Sequence, residues 1–395
     1  MEKTGVAGNF GGKVRSDCKV LFTLAEEGGI RMEIKSKVGA LYGKANEALL
    51  KEIFDHFGIS NAAVIVEDSG ALPHVIAARV EAAIRSVSNT RKEFLLPSAL
   101  DEWSLPEKDR FRMSRLYIPG NNPAMMINAG IHEPDGIILD LEDSVAPDRK
   151  DEARILVRNA LRNVDFHGAE RMVRINQIPL GLEDAAVVVP HGVDMLLIPK
   201  CEEAWQVEEV EKVVRSTQDS AGSKRPVFFM PIIESALGVE KAYEIATASK
   251  MVAAMAVGLE DLTADLGVQR TEEGTETLYA RTRVVNACKA AGIQPIDSVY
   301  SDVDNMAGLL DNVKRSRAFG FEGMGCIHPG QIRVIRKGFT PSQDEVEKAV
   351  KIVAAYRAAR EQGLGVVSLG SKMIDAPVVK RAERTMLLAK KFKMI

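Results

Sequence analysis

Residues 115–143 read RLYIPGNNPAMMINAGIHEPDGIILDLED, and this stretch decides the fold. Two short apolar runs, RLYIPG and GIILDLED, enclose a segment that suits a helix. Near-continuous apolar runs of this length are typical of parallel strands that are buried on both faces. The stretch therefore predicts a strand, a helix and a second parallel strand.

The same alternation of apolar runs and helical stretches continues to residue 329. The later runs are RMVRIN (171–176), VDMLLIPK (193–200), VFFMPIIES (227–235), MVAAMAVGLED (251–261), QPIDSVY (294–300) and EGMGCIHP (322–329). Eight buried strands separated by helices predict an α/β fold, a closed (β/α)8 or TIM barrel. An open doubly wound sheet is the alternative, which is weakened because no GxGxxG or Walker loop follows any run.

The residue patterns divide the chain into four parts. Residues 1–87 predict a small α+β domain, in which CKVLFTLAEE and IRMEIKSKV form an antiparallel pair of strands, followed by a helix, a strand and a second helix. Residues 88–111 lack periodicity and contain two prolines, which predicts a linker. The barrel then occupies 112–340. Residues 341–395 are predicted as a C-terminal helical lid, with the short segment GSKMIDAPVV between two helices.

Composition argues against several classes of protein. The net charge is −3 over 395 residues, without the basic face of a nucleic-acid binder. No apolar stretch approaches the roughly 20 residues of a membrane-spanning helix, and the N-terminus lacks the apolar core of a secretory signal. The four cysteines are scattered without a CxxC pair. We therefore expect reduced thiols and a cytoplasmic protein that binds neither nucleic acid nor membrane.

Charged and polar residues stand at the ends of most of the predicted strands. In a TIM barrel these ends meet at one mouth, where the active site lies. The residues are Asp140, Glu142, Asp143, Arg174, Asn176, Lys200, Glu234, Glu260, Asp261, Asp297 and His328. Carboxylates dominate, and oxygen ligands without imidazole pairs or thiolates suit Mg²⁺ or Mn²⁺ better than zinc. Such a metal beside an arginine suits the chelation of a 2-oxo or 2-hydroxy acid.

Lys200 leaves a second kind of chemistry open. A lysine at a strand end can form a Schiff base with a carbonyl substrate, as in aldolases. The other interpretation is a solvated or ion-paired strand end. The carboxylates favour this second interpretation, because metal-free Schiff-base chemistry would leave them unexplained.

Residues 112–390 resemble the citrate lyase β-subunit group of the HpcH/HpaI-type aldolases, a family that includes malyl- and citramalyl-CoA lyases. The motifs that carry the resemblance are SRLYIPGNNP (114–123), LDLEDSVAPDRKDEAR (139–154), VRIN (173–176), PIIESALGV (231–239), GLEDLTADLG (258–267), CIHPGQI (326–332) and SKMIDAP (371–377). The resemblance implies a Mg²⁺-dependent carbon–carbon lyase on a TIM barrel.

The resemblance also implies roles for individual residues. Glu234 and Asp261 match the family's metal ligands, and Arg174 matches its substrate arginine. Each has a structural alternative, namely strand-end ion pairs for the carboxylates and a buried pair with Glu142 for the arginine. One of Glu142 and Asp143 would position a metal-bound water as part of catalysis, and the other would cap the next helix.

Four further residues are candidate contacts for the substrate or its carrier. Ala236 and Leu237, in the PIIESALGV motif, match substrate-binding positions of the family. Arg115 and Lys200 are candidate contacts for the phosphates of a carrier arm, with a solvated surface position as the alternative. A structural role is expected for His328, beside Pro329.

Asp375 lies beyond the eight strands. A local interpretation makes it the N-cap of the helix that begins APVVKRAER. The resemblance implies instead that this aspartate, in the pattern MID-x-P, is the acid/base and is delivered from a neighbouring subunit. We therefore expect a homo-oligomer, a trimer or hexamer, with the glycine-flanked segment around Asp375 acting as a movable lid.

The N-terminal domain resembles the γ subunit of citrate lyase, an acyl carrier. The features that carry this resemblance are an AG pair near the start, the paired strands and IVEDSGALPHVIAARVEAA (65–83). Such carriers hold a CoA-derived arm, of the phosphoribosyl-dephospho-CoA type, on a serine in a segment like AGTLESSD. The corresponding segment here is AGNFGGKVRSD, in which Ser16 is the one serine and directly precedes Asp17. The resemblance therefore implies attachment at Ser16 and a transferase α subunit as a partner.

The implied reaction is the cleavage of a citryl thioester on the arm to oxaloacetate and an acetyl thioester. A lyase for free malyl- or citramalyl-CoA thioesters, with a vestigial carrier domain, is the nearest alternative. A third possibility is a non-catalytic scaffold that presents the carrier to other subunits.

Overall fold

The computed structural model describes residues 3–98, 104–361, 366–369 and 372–395. The N-terminal part contains a four-stranded sheet with two helices. Its elements are β1 (Thr4–Ala7), β2 (Cys18–Leu24), β3 (Ile30–Ser36), α1 (Gly39–Phe57), β4 (Ala62–Asp68) and α2 (Pro73–Val87). The small α+β domain expected from the sequence is therefore confirmed.

The expected antiparallel pairing of the second and third strands is wrong. The strand order is β1-β2-β4-β3, so β4 lies between them, antiparallel to β2 and parallel to β3. Strand β4 reads AAVIVED and buries every second residue, whereas β3 carries Arg31, Glu33 and Lys35 on one face. Charged residues suit an edge strand, and the more apolar strand takes the centre.

Strand β1 was not expected from the polar, glycine-rich start of the chain. It pairs antiparallel to β2 and packs closely against α2. A Cβ on Gly5 would lie 2.1 Å from the carbonyl oxygen of Ala83, so the close approach of β1 to α2 requires glycine at this position.

The second part of the chain is a closed barrel of eight parallel strands, as predicted. The strands are β5 (Ser114–Pro119), β6 (Gly136–Asp140), β7 (Glu170–Arg174), β8 (Met195–Ile198), β9 (Phe228–Ile233), β10 (Ala254–Val257), β11 (Gln294–Asp297) and β12 (Gly323–Cys326). Six of the eight fall within the runs identified in the sequence, and β5 and β7 begin one residue before theirs. The runs locate the strands because strands buried on both faces need continuous apolar residues.

Helices cover the outside of the barrel. They are α3 (Pro123–Ile127), α4 (Lys150–Asn163), α5 (Leu180–Val188), α6 (Ala204–Ala221), α7 (Ala236–Glu240), α8 (Ala242–Thr247), α9 (Leu259–Asp265), α10 (Leu278–Ala291), α11 (Met306–Phe319) and α12 (Gly330–Phe339). None of the helices in the described part of the chain is long and apolar enough to cross a membrane.

The N-terminal domain packs directly on the barrel through α2 and α4. Almost every residue of α2 is buried, since its two sides face its own sheet and α4. The connecting residues 88–98 and 104–111 form no helix or strand. Phe94 is nevertheless buried there, and its backbone N–H donates to Glu81 on α2 at 3.0 Å.

The C-terminal part is a helical hairpin with its own small core. Helices α13 (Gln343–Glu361) and α14 (Ala376–Lys391) pack against each other, and β13 (Val367–Leu369) pairs antiparallel with β14 (Lys372–Ile374) between them. Its buried residues form a cluster separate from the barrel core, namely Ala349, Ile352, Val353, Ile374, Val379 and Ala382. The glycines expected to flank the lid, Gly363, Gly365 and Gly370, lie outside the described residues.

Candidate active site

A pocket with many charged side chains lies at the carboxyl ends of the barrel strands. Its volume is about 460 Å³, and residues from β5, β6, β7, β9, β10, β11 and β12 or their following loops line it. The charged residues in its wall are Arg115, Asp140, Asp143, Arg174, Glu234, Glu260, Asp261 and Asp297. Most of the strand-end residues identified in the sequence therefore meet in this pocket, and exceptions are described below.

Arg174, the last residue of β7, is held by two carboxylates. Its Nε and one terminal nitrogen donate to both oxygens of Asp140 at 2.6 and 2.7 Å, and its other terminal nitrogen lies 2.7 Å from Glu142. The guanidinium also lies over the ring of Tyr117, 5.4 Å from its centroid. Burial opposes the charge, but the hydrogen bonds and charge of Asp140 outweigh it and raise the pKa of Arg174. A fixed cation thus faces the pocket.

Asp140, the main partner of Arg174, was not expected from the sequence. The structural alternative was a pair with Glu142, which exists but is only part of the arrangement. The register of β6 and β7 would have indicated this pair, because it places Asp140 directly opposite Arg174. Tyr117 was not among the predicted site residues either, because an aromatic residue in a buried strand is typical of the hydrophobic core.

Glu142 lies beside Arg174 and is not among the described residues that line the pocket. It is 3 % exposed and accepts a hydrogen bond of 3.2 Å from Gln177. Burial raises its pKa against the opposing charge of Arg174. The expected helix cap is wrong, because neither Glu142 nor Asp143 caps the next helix. Ala146 precedes a short 3-10 helix (Pro147–Arg149), and Arg149 precedes α4. Neither side chain forms a capping hydrogen bond with its helix.

Glu234, which follows β9, is 5 % exposed and oriented by its neighbours. Its Oε1 accepts a hydrogen bond of 2.6 Å from the backbone N–H of Lys200, whose φ of 45° is in the left-handed region. A Cβ on Gly258 would lie 2.5 Å from Oε2, so glycine at this position leaves room for the carboxylate. Burial, with the charges of Asp261 and Glu142, raises the pKa of Glu234 to about 8.

Asp261, in the first turn of α9, is the second carboxylate of this group. Its Oδ1 lies 3.6 Å from Nζ of Lys200, and both side chains are partly exposed. Asp261 lines the pocket, and Lys200 is not among the described residues that do. Burial would lower the pKa of Lys200, but the charge of Asp261 and other carboxylates outweighs it and raises that pKa. A Schiff-base lysine needs the opposite shift. The ion-paired interpretation of Lys200 is therefore the one that the geometry supports.

The arrangement of Glu234 and Asp261 suits a hard cation. A divalent ion beside these two carboxylates would stabilise their charged forms and offset the burial and mutual repulsion that raise the pKa of Glu234. No group of three or more His, Cys, Asp or Glu side chains in the described part of the chain could hold a metal. An ion bound here would therefore keep several positions for substrate oxygens and water, as Mg²⁺ prefers.

Arg115 lies inside the barrel, so the alternative of a solvated surface position is wrong. It is the second residue of β5, its side chain is 1 % exposed, and it reaches the pocket from the amino-terminal side of the strands. Ala236 and Leu237 are exposed and are not among the described pocket residues. The backbone N–H of Ala236 donates to Asp265 at 2.8 Å. Contact of these two residues with substrate stays a prediction.

Ser16 lies next to a contact between the N-terminal domain and the loop that follows β5. Nε and one terminal nitrogen of Arg79 donate to the two carboxylate oxygens of the next residue, Asp17, at 2.9 and 3.0 Å. Arg79 also donates to the carbonyl oxygen of Asn121 at 3.0 Å, in the loop that follows β5. Ser16 is half-buried with a φ of 56°, and its N–H donates to the carbonyl of Ser69 at 3.1 Å.

Asp375 caps α14, as the local interpretation expected. Its Oδ1 accepts a hydrogen bond of 3.2 Å from the backbone N–H of Val378. The described residues that line the barrel pocket do not include Asp375. His328 is exposed, and its Nδ1 accepts a hydrogen bond of 3.1 Å from the N–H of Gly330, which is a structural contact.

Comparisons with known proteins agree with both resemblances. Residues 113–329 match the HpcH/HpaI aldolase/citrate lyase family, and residues 2–87 match an acyl-carrier family described as malonate decarboxylase delta subunit (MdcD). Over 286 residues the chain is 39% identical to the citrate lyase subunit beta of Leuconostoc mesenteroides subsp. cremoris, with coverage of 71% of this chain and 94% of that protein.

Two further proteins extend the comparison. The chain is 31% identical over 294 residues to human mitochondrial citramalyl-CoA lyase, with coverage of 71% and 86% of the two chains. The crystal structure of CitE from Mycobacterium tuberculosis, in complex with magnesium, acetoacetate and coenzyme A, superimposes with a TM-score of 0.59 at 29% identity. That match covers 72% of this chain and 100% of the CitE chain.

Proposed function

Because this chain belongs to the HpcH/HpaI aldolase/citrate lyase family, and is thus a carbon–carbon lyase, we propose that it cleaves a citryl thioester. The products are oxaloacetate and an acetyl thioester. The observation that carries the proposal is the convergence of Arg174, Glu234 and Asp261 in one pocket, in a chain that also has an acyl-carrier domain on the same side of the barrel. The greater identity to a citrate lyase subunit than to a citramalyl-CoA lyase favours citryl over citramalyl.

In this proposal Glu234 and Asp261 hold a Mg²⁺ ion, which the related CitE structure also contains. When bound, the ion supplies positive charge for the hydroxyl and carboxylate oxygens of the substrate. The chain prepares the site in two ways. The N–H of Lys200 fixes one oxygen of Glu234, and Gly258 leaves space beside the other.

Arg174 acts on the thioester half of the substrate. The substrate hydroxyl gives its proton to water, the carbon–carbon bond breaks to form the ketone of oxaloacetate, and the electron pair of that bond stays on the acetyl thioester as an enolate. A guanidinium held rigidly by Asp140 and Glu142 stabilises the oxygen of that enolate without reorganisation of the site. Glu142 is then a positioning residue, because its contacts are with Arg174 and Gln177.

Asp375 from a second copy of the chain protonates the enolate carbon. Its position outside the pocket of its own chain, on a hairpin with a separate core, supports delivery to a neighbour. The proposal therefore includes a homo-oligomer, a trimer or hexamer. We also place the protein in the cytoplasm, where the free and buried Cys18, Cys201, Cys288 and Cys326 stay reduced.

The carrier arm is attached at Ser16 in this proposal, and a transferase α subunit loads the arm with the citryl group. The domain itself is docked on α4 by the buried ion pairs of Glu81 with Arg158 and of Arg79 with Glu152, so the arm and not the domain travels between sites. A docked carrier keeps the thioester at a high effective concentration near the barrel mouth. The domain limits 1–87, 88–111, 112–340 and 341–395 are part of the same proposal.

The test is a panel of citryl, citramalyl and malyl thioesters of coenzyme A, incubated with the full-length protein with and without Mg²⁺. Oxaloacetate release from the citryl thioester at the highest rate, and only with the metal, supports the proposal. Faster release of pyruvate or glyoxylate identifies a lyase for the other thioesters. The absence of any cleavage, including that of a carrier-bound citryl group, would identify a scaffold.

A further inference from the structure

Arg115 differs from the other fully buried arginines of the chain. Arg79, Arg112 and Arg158 each bind both oxygens of a buried carboxylate, those of Asp17, Glu170 and Glu81 respectively. Arg115 is equally buried, yet within the described residues it forms no ion pair with a carboxylate. One of its terminal nitrogens lies 2.9 Å from the sulfur of Met230, and its buried Nε has no hydrogen-bond partner there.

The barrel provides space for this guanidinium. The residues in register with Arg115 on the two neighbouring strands are both glycines, Gly136 on β6 and Gly325 on β12. A Cβ on Gly136 would lie 3.5 Å from Cγ of Arg115 and 2.6 Å from Cε of Met172. A side chain larger than that of alanine at Gly136 would take up the space beside Arg115, so glycine at this position helps to accommodate a long cationic side chain among the apolar residues of the barrel interior.

An unpaired buried cation is costly, and it needs a function or a partner. Burial lowers the pKa of Arg115 to about 10, so the side chain is still protonated at neutral pH. It lines the same pocket as Arg174, Glu234 and Asp261. The end of the pocket at Arg115, on the amino-terminal side of the strands, is its floor. A negatively charged ligand group that reaches the floor would therefore meet a cation with free hydrogen-bond donors.

We propose that Arg115 binds the distal carboxylate of the oxo-acid half of the substrate, and so selects a dicarboxylic oxo acid. This inference rests on the proposed lyase function. The possible oxo acids differ in the group on the carbonyl carbon, which is hydrogen in glyoxylate, methyl in pyruvate and carboxymethyl in oxaloacetate. The carboxymethyl group of oxaloacetate alone carries a second carboxylate, and this carboxylate can pair with Arg115.

Pairing with Arg115 should favour dicarboxylic oxo acids over pyruvate and glyoxylate. A bidentate hydrogen bond between a guanidinium and a carboxylate is charge-assisted and worth roughly a 10- to 100-fold difference in affinity. A methyl group or hydrogen in the same place gains nothing from the arginine and leaves its charge unpaired. Arg115 therefore adds affinity for oxaloacetate and for the citryl group, and none for pyruvate, glyoxylate or the corresponding acyl groups.

The test compares the full-length wild type with Arg115→Met, which replaces the guanidinium by an apolar side chain suited to a methionine-lined floor. Binding of oxaloacetate and of pyruvate is measured by calorimetry in the presence of Mg²⁺, and cleavage of citryl and citramalyl thioesters is measured alongside. We expect the wild type to prefer oxaloacetate by roughly 10- to 100-fold. Arg115→Met should lose this preference through weaker oxaloacetate binding, with pyruvate binding unchanged.

Two further variants separate recognition from folding. Met230→Leu removes the sulfur beside Arg115 but keeps the charge, and it should retain the preference. Thermal unfolding of Arg115→Met should occur at the wild-type temperature or above it, because an unpaired buried charge is removed. Arg115→Lys should restore part of the preference, since it returns a cation to the floor.

Two results would overturn the inference while leaving the lyase function intact. One is a wild type that cleaves thioesters but binds oxaloacetate and pyruvate equally. The other is an Arg115→Met variant with the full wild-type preference. A wild type that binds neither oxo acid and cleaves no thioester would overturn the proposed function together with the inference.

Discussion

Arg158 on the barrel and Glu81 on the N-terminal domain form an ion pair that is completely closed to solvent. The two terminal nitrogens of Arg158 donate to the two oxygens of Glu81 at 2.9 and 2.8 Å, and both side chains are 0% exposed. The guanidinium also donates to Glu93 at 3.1 Å, to the Asn159 side chain and to the carbonyl oxygen of Phe94 at 3.4 Å. The carrier-like domain is therefore a fixed part of the molecule.

Removing the carboxylate of this pair should destabilise the whole chain. Glu81→Gln leaves Arg158 buried with a reduced set of charged partners, which costs roughly 3 kcal/mol of unfolding free energy. Urea unfolding of the full-length protein measures the effect. The control is Glu47→Gln, which breaks the exposed pair with Lys51 and should unfold like the wild type. Equal stability of the two variants would show that the docking pair contributes nothing.

The metal ligands can be tested without disturbing the fold. Glu234→Gln and Asp261→Asn should each abolish Mg²⁺-dependent cleavage and weaken Mg²⁺ binding measured by calorimetry, because each removes one anionic oxygen ligand. Circular dichroism should remain that of the wild type, since residues at strand ends carry function more than packing.

The matched control for the metal ligands is Glu260→Gln, beside Asp261. The carboxylate of Glu260 is turned toward Arg270, with which it forms an ion pair. Its neutralisation should leave Mg²⁺ binding close to that of the wild type. Near-normal turnover of Glu234→Gln or Asp261→Asn at limiting Mg²⁺ would show that the substituted residue is not a metal ligand.

Attachment of the arm is tested by intact-protein mass. Ser16→Ala should lack an adduct of the size of a CoA-derived arm and should fail to turn over carrier-bound substrate. It should still cleave a free CoA thioester, because the barrel is unchanged. Ser60→Ala, an exposed serine of the same domain, should keep the adduct. An adduct on another residue, or none in protein from the native organism, contradicts attachment at Ser16.

Delivery of Asp375 between subunits is tested by mixing two inactive variants. Asp375→Asn and Arg174→Ala, unfolded and reassembled together, should recover part of the activity, because some sites then contain an intact barrel and an intact Asp375. Arg174→Ala mixed with Glu234→Gln is the control. It should stay inactive, since every barrel carries a defect. If the first mixture is also inactive, Asp375 serves the barrel of its own chain.

Much of the candidate site follows from the order of residues along the chain. A parallel barrel places the carboxyl ends of all eight strands at one mouth, so strand-end residues such as Arg174, Glu234 and Asp261 meet wherever the strands are correctly identified. Identification was reliable because each strand is buried on both faces and is written as one apolar run. Asp375 could be named only from its motif, since its helix carries no sign of the site that it would serve.

The barrel, its eight strands and the residues at their ends could be predicted from the order of amino acids, because these features depend on local runs of apolar residues. The partners of those residues became known from the three-dimensional fold. It placed β4 between β2 and β3, paired Arg174 mainly with Asp140, and buried Arg115 without a carboxylate. Pairings of this kind depend on register and on space between elements far apart in the chain, and a local pattern of residues does not encode either.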